Sequence, residues 1–261
     1  MGTVRDPSPS LPPLGPLFIL DAGTLRPVIA VAGGKGGSGK TTTTVGLARA
    51  LSRRGAPVVA VDADWDLPNL AELAAETGRP AATARHNDAD TPSSTPGLAV
   101  DEVARGSTPI PENRTEPAVL SAPDRPRDVD SAAVFGRLDG VLPEDTPVLL
   151  DCPAGASPDA AAPLRAADHC VLVTPLRRSA IRDAAKTAAI ARRLDCPPLG
   201  TIVTRARSVP DALADLLECP VLARTPPAAP SPLSDEAVRS AYDTAVDRLV
   251  ESYGSERWRV A

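Results

Sequence analysis

Two of the three lysines in this chain, Lys35 and Lys40, stand five residues apart in Val31-Ala-Gly-Gly-Lys-Gly-Gly-Ser-Gly-Lys-Thr-Thr42, while twenty-five arginines supply the other positive charge. A composition so biased keeps lysine where a flexible ammonium does what a planar guanidinium cannot. Gly34, four intervening residues and Gly39-Lys40-Thr41 fit the GxxxxGK[ST] pattern of a phosphate-binding loop. Glycines let such a loop curl until successive backbone N–H groups point at a polyphosphate, and the helix that follows adds the positive end of its dipole. In that chemistry Gly34, Lys35, Gly36, Gly37, Ser38, Gly39, Lys40, Thr41 and Thr42 surround the anion. Lys40 reaches the β- and γ-phosphates, and the Thr41 hydroxyl holds Mg2+.

A loop of this kind needs a strand before it and a helix after it. Pro27–Ala32 is a β-branched apolar run, and Thr42–Arg54 reads as a helix. Beyond them, strand-like runs at 58–62, 118–121, 147–152, 170–174, 200–204 and 220–224 alternate with helical runs near 67–76, 129–139, 158–166, 178–194 and 208–217. That rhythm predicts an α/β fold, a mostly parallel twisted sheet flanked by helices on both faces, as a single domain over 25–252. The final run, 234–252, places Val238, Ala241, Tyr242, Ala245, Leu249 and Val250 at helical spacing. Its polar face carries Asp235, Glu236, Asp243, Asp247 and Glu251, which anionic lipid would repel, so it reads as a core-packing helix. Residues 1–24 carry five prolines and read as a flexible N-terminal extension. Thr77–Thr115, rich in Pro, Ser, Thr, Asp and Gly, reads as a long surface excursion whose one helical signal is weak, Leu98–Arg105. Residues 253–261 form a short tail.

Composition excludes several classes. A net charge of −5 argues against a broadly basic nucleic-acid surface, and six aromatic residues are too few for a platform that stacks single-stranded bases. Cys152, Cys170, Cys196 and Cys219 are dispersed without a CxxC pair; three of them lie in or beside apolar strand-like runs, where cysteine is a small core residue, and Cys152 is set beside the expected phosphate site. No apolar run is long enough to span a bilayer, and residues 1–16 lack the apolar stretch of a signal peptide, so a cytoplasmic location is expected.

The second lysine narrows the reading. Lys35-Gly-Gly-Ser-Gly-Lys-Thr41 resembles the deviant Walker A signature, KGGxGKT, of the MinD/ParA superfamily of ATPases. The resemblance implies that Lys35 crosses to a partner subunit and touches its bound phosphates, which couples ATP binding to homodimerisation. Val58-Val-Ala-Val-Asp-Ala-Asp-Trp-Asp-Leu-Pro-Asn-Leu70 is similar to the second strand and first switch of the MinD-like branch. By that likeness Asp64 orients the attacking water and Asp62 belongs to the Mg2+ and switch network, while Asp66 replaces a residue that is usually small. Thr146-Pro-Val-Leu-Leu-Asp-Cys-Pro-Ala-Gly155 resembles the Walker B strand with a DxPAG ending. There Asp151 holds a Mg2+-bound water, and the Gly155 backbone senses the γ-phosphate. The family's next strand resembles Cys170–Pro175, followed by Ser179-Ala-Ile-Arg-Asp183; Ser179 and Asp183 are read by default as a helix cap and a first-turn acid. Thr201–Arg205 and Val221–Pro226 occupy the places of the family's adenine pocket, which makes Arg205 and Pro226 base contacts. Thr204 and Arg205 stand where an amide-bearing reader is usual. The likeness spans about residues 27–251, specific in four short blocks and topological elsewhere.

The implied activity is a slow, partner-stimulated ATPase with ATP and Mg2+ as ligands, acting as a positioning switch for cell division or surface machinery. An unidentified stimulating or cargo protein is the expected partner. Tyr253–Ala261, with Arg257, Trp258 and Arg259, is too short for the basic amphipathic membrane helix of MinD, so membrane contact is expected to be peripheral and through a partner. The alternative is ParA-like nonspecific DNA binding through Arg177, Arg178, Arg182, Arg192 and Arg193. Asp183 and Asp195 interrupt that stripe, and the DxDPQ form of the ParA switch is absent. A degenerate nucleotide-binding regulator is a further alternative. The iron–sulfur carrier branch needs a CxxC pair and the tyrosine-kinase branch a tyrosine cluster, and the sequence has neither.

Overall fold

The computed structural model describes residues 27–78, 98–110, 116–143, 146–155 and 158–253. The Pro-rich start, positions 79–97 and 111–115 of the expected excursion, and the tail from 254 lie outside them. The central strand β1 (Val28–Ala32) is a continuous apolar run because it is covered on both faces, as parallel strands flanked by helices must be. Ile29 and Val31 enter one core cluster, Ala30 and Ala32 the other. The remaining strands are β2 (Val59–Asp62), β3 (Leu98–Ala99), β4 (Ala118–Ser121), β5 (Val148–Asp151), β6 (His169–Pro175), β7 (Pro198–Thr204) and β8 (Val221–Arg224). They form one parallel sheet in the order β3-β4-β2-β5-β1-β6-β7-β8.

Helices α1 (Lys40–Arg53), α2 (Leu70–Gly78) and α8 (Glu236–Tyr253) cover one face of this sheet. The other carries α3 (Val100–Ala104), α4 (Ser131–Val141), α5 (Pro158–Ala166), α6 (Arg178–Arg193) and α7 (Ala212–Leu217). The chain leaves β1 toward β2 on one side and returns from β5 to β6 on the other, so the strand order reverses at β1. Ligands of open α/β sheets bind in the crevice outside the strand carboxyl ends at such a reversal.

The weak helical signal at Leu98–Arg105 resolves into two elements. Leu98 and Ala99 pair with Leu120 and Ser121 as an edge strand, and Val100, Val103 and Ala104 are buried in the core. Two residues are too short a strand to leave a period-2 pattern.

Candidate functional site

The loop between β1 and α1 is held from three sides. Gly34 lies against α6 so closely that an added Cβ would stand 2.2 Å from the Asp183 Cβ, which only glycine avoids. On the second side, at the end of β7, the Thr204 hydroxyl donates to the Ser38 carbonyl at 2.7 Å and Arg205 Nη2 donates to the Gly37 carbonyl at 2.5 Å. On the third, Gly39 takes the left-handed backbone conformation (φ 100°) that turns the chain into the first turn of α1.

This seating separates the two lysines. Lys40 is 8% exposed, inside the loop, whereas the Lys35 side chain is 51% exposed at its rim. Lys35 Nζ lies 3.2 Å from Asp183 Oδ2, and Lys186 approaches the other oxygen at 3.8 Å. Reading Ser179 as a cap and Asp183 as a first-turn acid is therefore corrected. Helix α6 starts at Arg178 after Arg177, with no side-chain cap and no acid in its first turn. Asp183, in the second turn, is the ion-pair partner of Lys35. It is the one acid in an otherwise cationic helical run, which is the signal that marks it.

Two carboxylates end adjacent strands behind the loop, Asp62 opposite Asp151 in the β2–β5 register. Asp151 accepts from the Thr44 hydroxyl at 3.1 Å and from that of Thr41. Burial pushes its carboxyl up to about 7; the Thr41 bond opposes this and neighbouring Asp62 adds to it. Asp62 accepts the backbone N–H groups of Asp64 (3.1 Å), Asn69 (3.0 Å) and Leu70 (3.0 Å), which folds residues 63–69 into a tight turn and fixes the start of α2. Burial raises it to about 6 against those three bonds. Helix α2 begins at Leu70, later than the pattern from 67 implied, because this clamp and Pro68 occupy the chain before it.

A cavity of about 410 Å3 opens on the loop, lined by Gly37, Gly39, Lys40, Thr41, Thr42 and Arg205 together with Asn69 and, on α2, Glu72, Leu73 and Glu76. Asp64 is placed elsewhere. Its carboxylate accepts from Leu67 N at 3.3 Å and lines a second cavity of about 200 Å3 with Trp65, Phe135, Pro153 and Asp159. Gly155 (φ 97°) and half-buried Pro226 stand outside the lining of the larger cavity, and Gly36 is exposed on the loop. Thr44, Glu72 and Glu76 escaped the sequence reading. Thr44 was signalled by the four-threonine run Thr41–Thr44, an unusual helix opening for β-branched residues.

The residues suit a polyphosphate with a hard divalent cation. The Ser38 hydroxyl is buried without a protein partner inside the loop, and Lys40, a turn of N–H groups and the α1 N-terminus surround the space. Mg2+ takes a few oxygen ligands and keeps its waters. Thr41 and Asp151 offer such oxygens, and among the described residues no cluster of three or more His, Cys, Asp or Glu forms a self-sufficient metal site. All four cysteines are free and buried; burial raises the Cys152 thiol well above its usual value, which makes it a packing residue.

Comparison with known proteins agrees with this geometry. The family model for the CobQ/CobB/MinD/ParA nucleotide binding domain matches residues 29–223. The septum site-determining protein MinD of Synechocystis is 32% identical over 212 residues, 76% of this chain and 75% of that one. An uncharacterised ATP-binding protein of Methanocaldococcus jannaschii is 30% identical over 215 residues, 76% of this chain and 73% of its own. The fold is that of the cell division ATPase MinD of Pyrococcus furiosus, with a TM-score of 0.68 and 23% identity over 86% of this chain and 98% of that one. MinD of Pyrococcus horikoshii, solved with Mg-ADP, gives the same score over 88% and 98%. The chain belongs to the CobQ/CobB/MinD/ParA family of nucleotide-binding domains, on its MinD-like branch.

Proposed function

We propose that this chain is an ATP-gated dimerising ATPase that works as a positioning switch. The observation that carries the reading is the division of labour between the lysines: Lys40 buried in the loop, Lys35 exposed at its rim on an ion pair it can leave. In this reading the phosphates occupy the loop and the first turn of α1, with Lys40 on the β- and γ-phosphates. Thr41 and Asp151 hold Mg2+, which when bound neutralises phosphate charge. Asp62, with both oxygens occupied by backbone N–H groups, holds the switch turn and α2. Asp64, now turned to the second cavity, orients the attacking water only after residues 63–69 rearrange around a γ-phosphate, and Gly155 marks the second switch. Arg205 and Pro226 flank the base. Lys35 exchanges Asp183 for the partner's phosphates when two subunits close face to face, and hydrolysis releases the dimer.

Phosphate release from the purified chain tests the reading. Activity that rises with protein concentration and vanishes in Lys40→Ala supports it. A nucleotide-binding chain with no turnover under any stimulus would instead be the degenerate regulator.

The DNA-binding alternative gains one observation. Asp183 is spent on Lys35, which leaves Arg177 just before α6 and Arg178, Arg182 and Arg193 on it exposed without that acid. DNA retention that falls steeply with salt would favour that branch, whereas none at low salt would remove it. No helix among the described residues is long and apolar enough to cross a membrane. Membrane contact, in this reading, is peripheral and comes through a cargo or stimulating protein.

A further inference from the structure

Two exposed carboxylates stand in the lining of the cavity on the phosphate-binding loop. An ionised carboxylate accepts hydrogen bonds and donates none, and it repels the anion that the loop gathers. Glu72 and Glu76 nevertheless line the same cavity as Lys40, Thr41 and Thr42. Four residues apart, they share one face of α2, and that helix is fixed by the bonds of Asn69 and Leu70 to Asp62. Arg205, whose guanidinium is tied to the Gly37 carbonyl, lines the same cavity.

The loop and the start of α1 take the phosphates, so the sugar and base of a nucleotide must fill the remaining space. The parts of a nucleoside that donate to a carboxylate are the ribose hydroxyls and the amino groups of the base. The α2 wall begins at Asn69, beside the Asp62–Asp151 corner, and the group that follows the phosphates is the sugar. A vicinal diol offers one carboxylate two parallel donors. The planar Arg205 side chain in the same lining suits the face of a base.

We propose that Glu72 and Glu76 read the ribose hydroxyls, so that the site selects ribonucleotides over deoxyribonucleotides. The inference rests on the nucleotide-binding reading above. It makes α2 a specificity wall, tied through Asp62 to the strand ends that hold the metal oxygens.

Calorimetric titration of the full chain with ATP, 2′-dATP and 3′-dATP in the presence of Mg2+ tests it. The wild-type chain binds ATP about tenfold or more tightly than at least one deoxy analogue, the range expected for a hydrogen bond to a charged group. In the double variant Glu72→Ala/Glu76→Ala, ATP weakens to the level of that analogue while the analogue itself is little changed. Equal wild-type affinity for all three would overturn the proposal. So would a selectivity untouched by the double substitution, or a variant that tightens all three equally, since the acids would then only repel phosphate. A wild-type chain that binds no ATP at all would overturn the nucleotide reading beneath it.

Discussion

Asp151 and Asp62 are buried and adjacent, and the Lys40 charge offsets less of the cost at Asp151 than burial imposes, which makes the pair costly in the ligand-free state. An unfolded aspartate titrates near 4, whereas folded Asp151 does so at about 7 and Asp62 at about 6. Between those values the folded chain holds protons that the unfolded chain has lost, so stability falls as pH rises across the window. Asp151→Asn removes the larger contribution. Without nucleotide it is expected to stabilise the chain by on the order of 2–4 kcal/mol near pH 8 and by almost nothing near pH 4, while weakening Mg2+-dependent nucleotide binding. Urea unfolding at the two pH values checks this, and an equal effect at both would contradict it. The Lys35–Asp183 pair behaves differently because it is half in solvent: Asp183→Asn is expected to change stability by less than about 1 kcal/mol, measured the same way. The places of Lys40 in the loop and of Asp151 at a strand end were legible in the sequence because each ends a short motif with its own pattern. The partner of Lys35 was not, since nothing in the order of residues states that the second turn of α6 passes beside the loop.

At the scale of elements, the loop works because rigid pieces press on it. Gly34→Ala sets a Cβ 2.2 Å from the Asp183 Cβ and 2.4 Å from its carbonyl carbon, so loop or helix must shift. The expected result is a loss of at least about tenfold in ATP affinity, with about 1–3 kcal/mol of stability from overpacking. Gly46→Ala, whose added Cβ would stand 2.3 Å from the Tyr242 ring of α8, offers the contrast. It should show a similar stability loss in thermal unfolding, with nucleotide affinity less affected because the contact lies on the helix–helix seam. The alternation of strands and helices was readable because buried parallel strands are apolar throughout and helices carry their own period. Elements set by tertiary contact were not: β3 is defined by its pairing with β4, and the start of α2 is defined by Asp62, eight residues before the first helical N–H it accepts, that of Leu70.

For the whole molecule, the sheet reverses at β1, and that reversal brings the loop, the ends of β2 and β5, the end of β7 and the first turns of α1 and α2 to one edge. Everything the reading assigns to ATP sits on that edge, with Lys35 exposed there and pointing the question of function at a second copy of the chain. The most direct test is light scattering coupled to size-exclusion chromatography of Asp64→Ala with Mg2+ and ATP, beside Asp64→Ala/Lys35→Ala. The single variant is expected to run at twice the 26.9 kDa chain mass with ATP and at one chain mass with ADP, and the double variant to stay monomeric while still binding ATP. An Asp64→Ala chain that binds ATP and remains entirely monomeric, or a dimer indifferent to Lys35, would contradict that expectation.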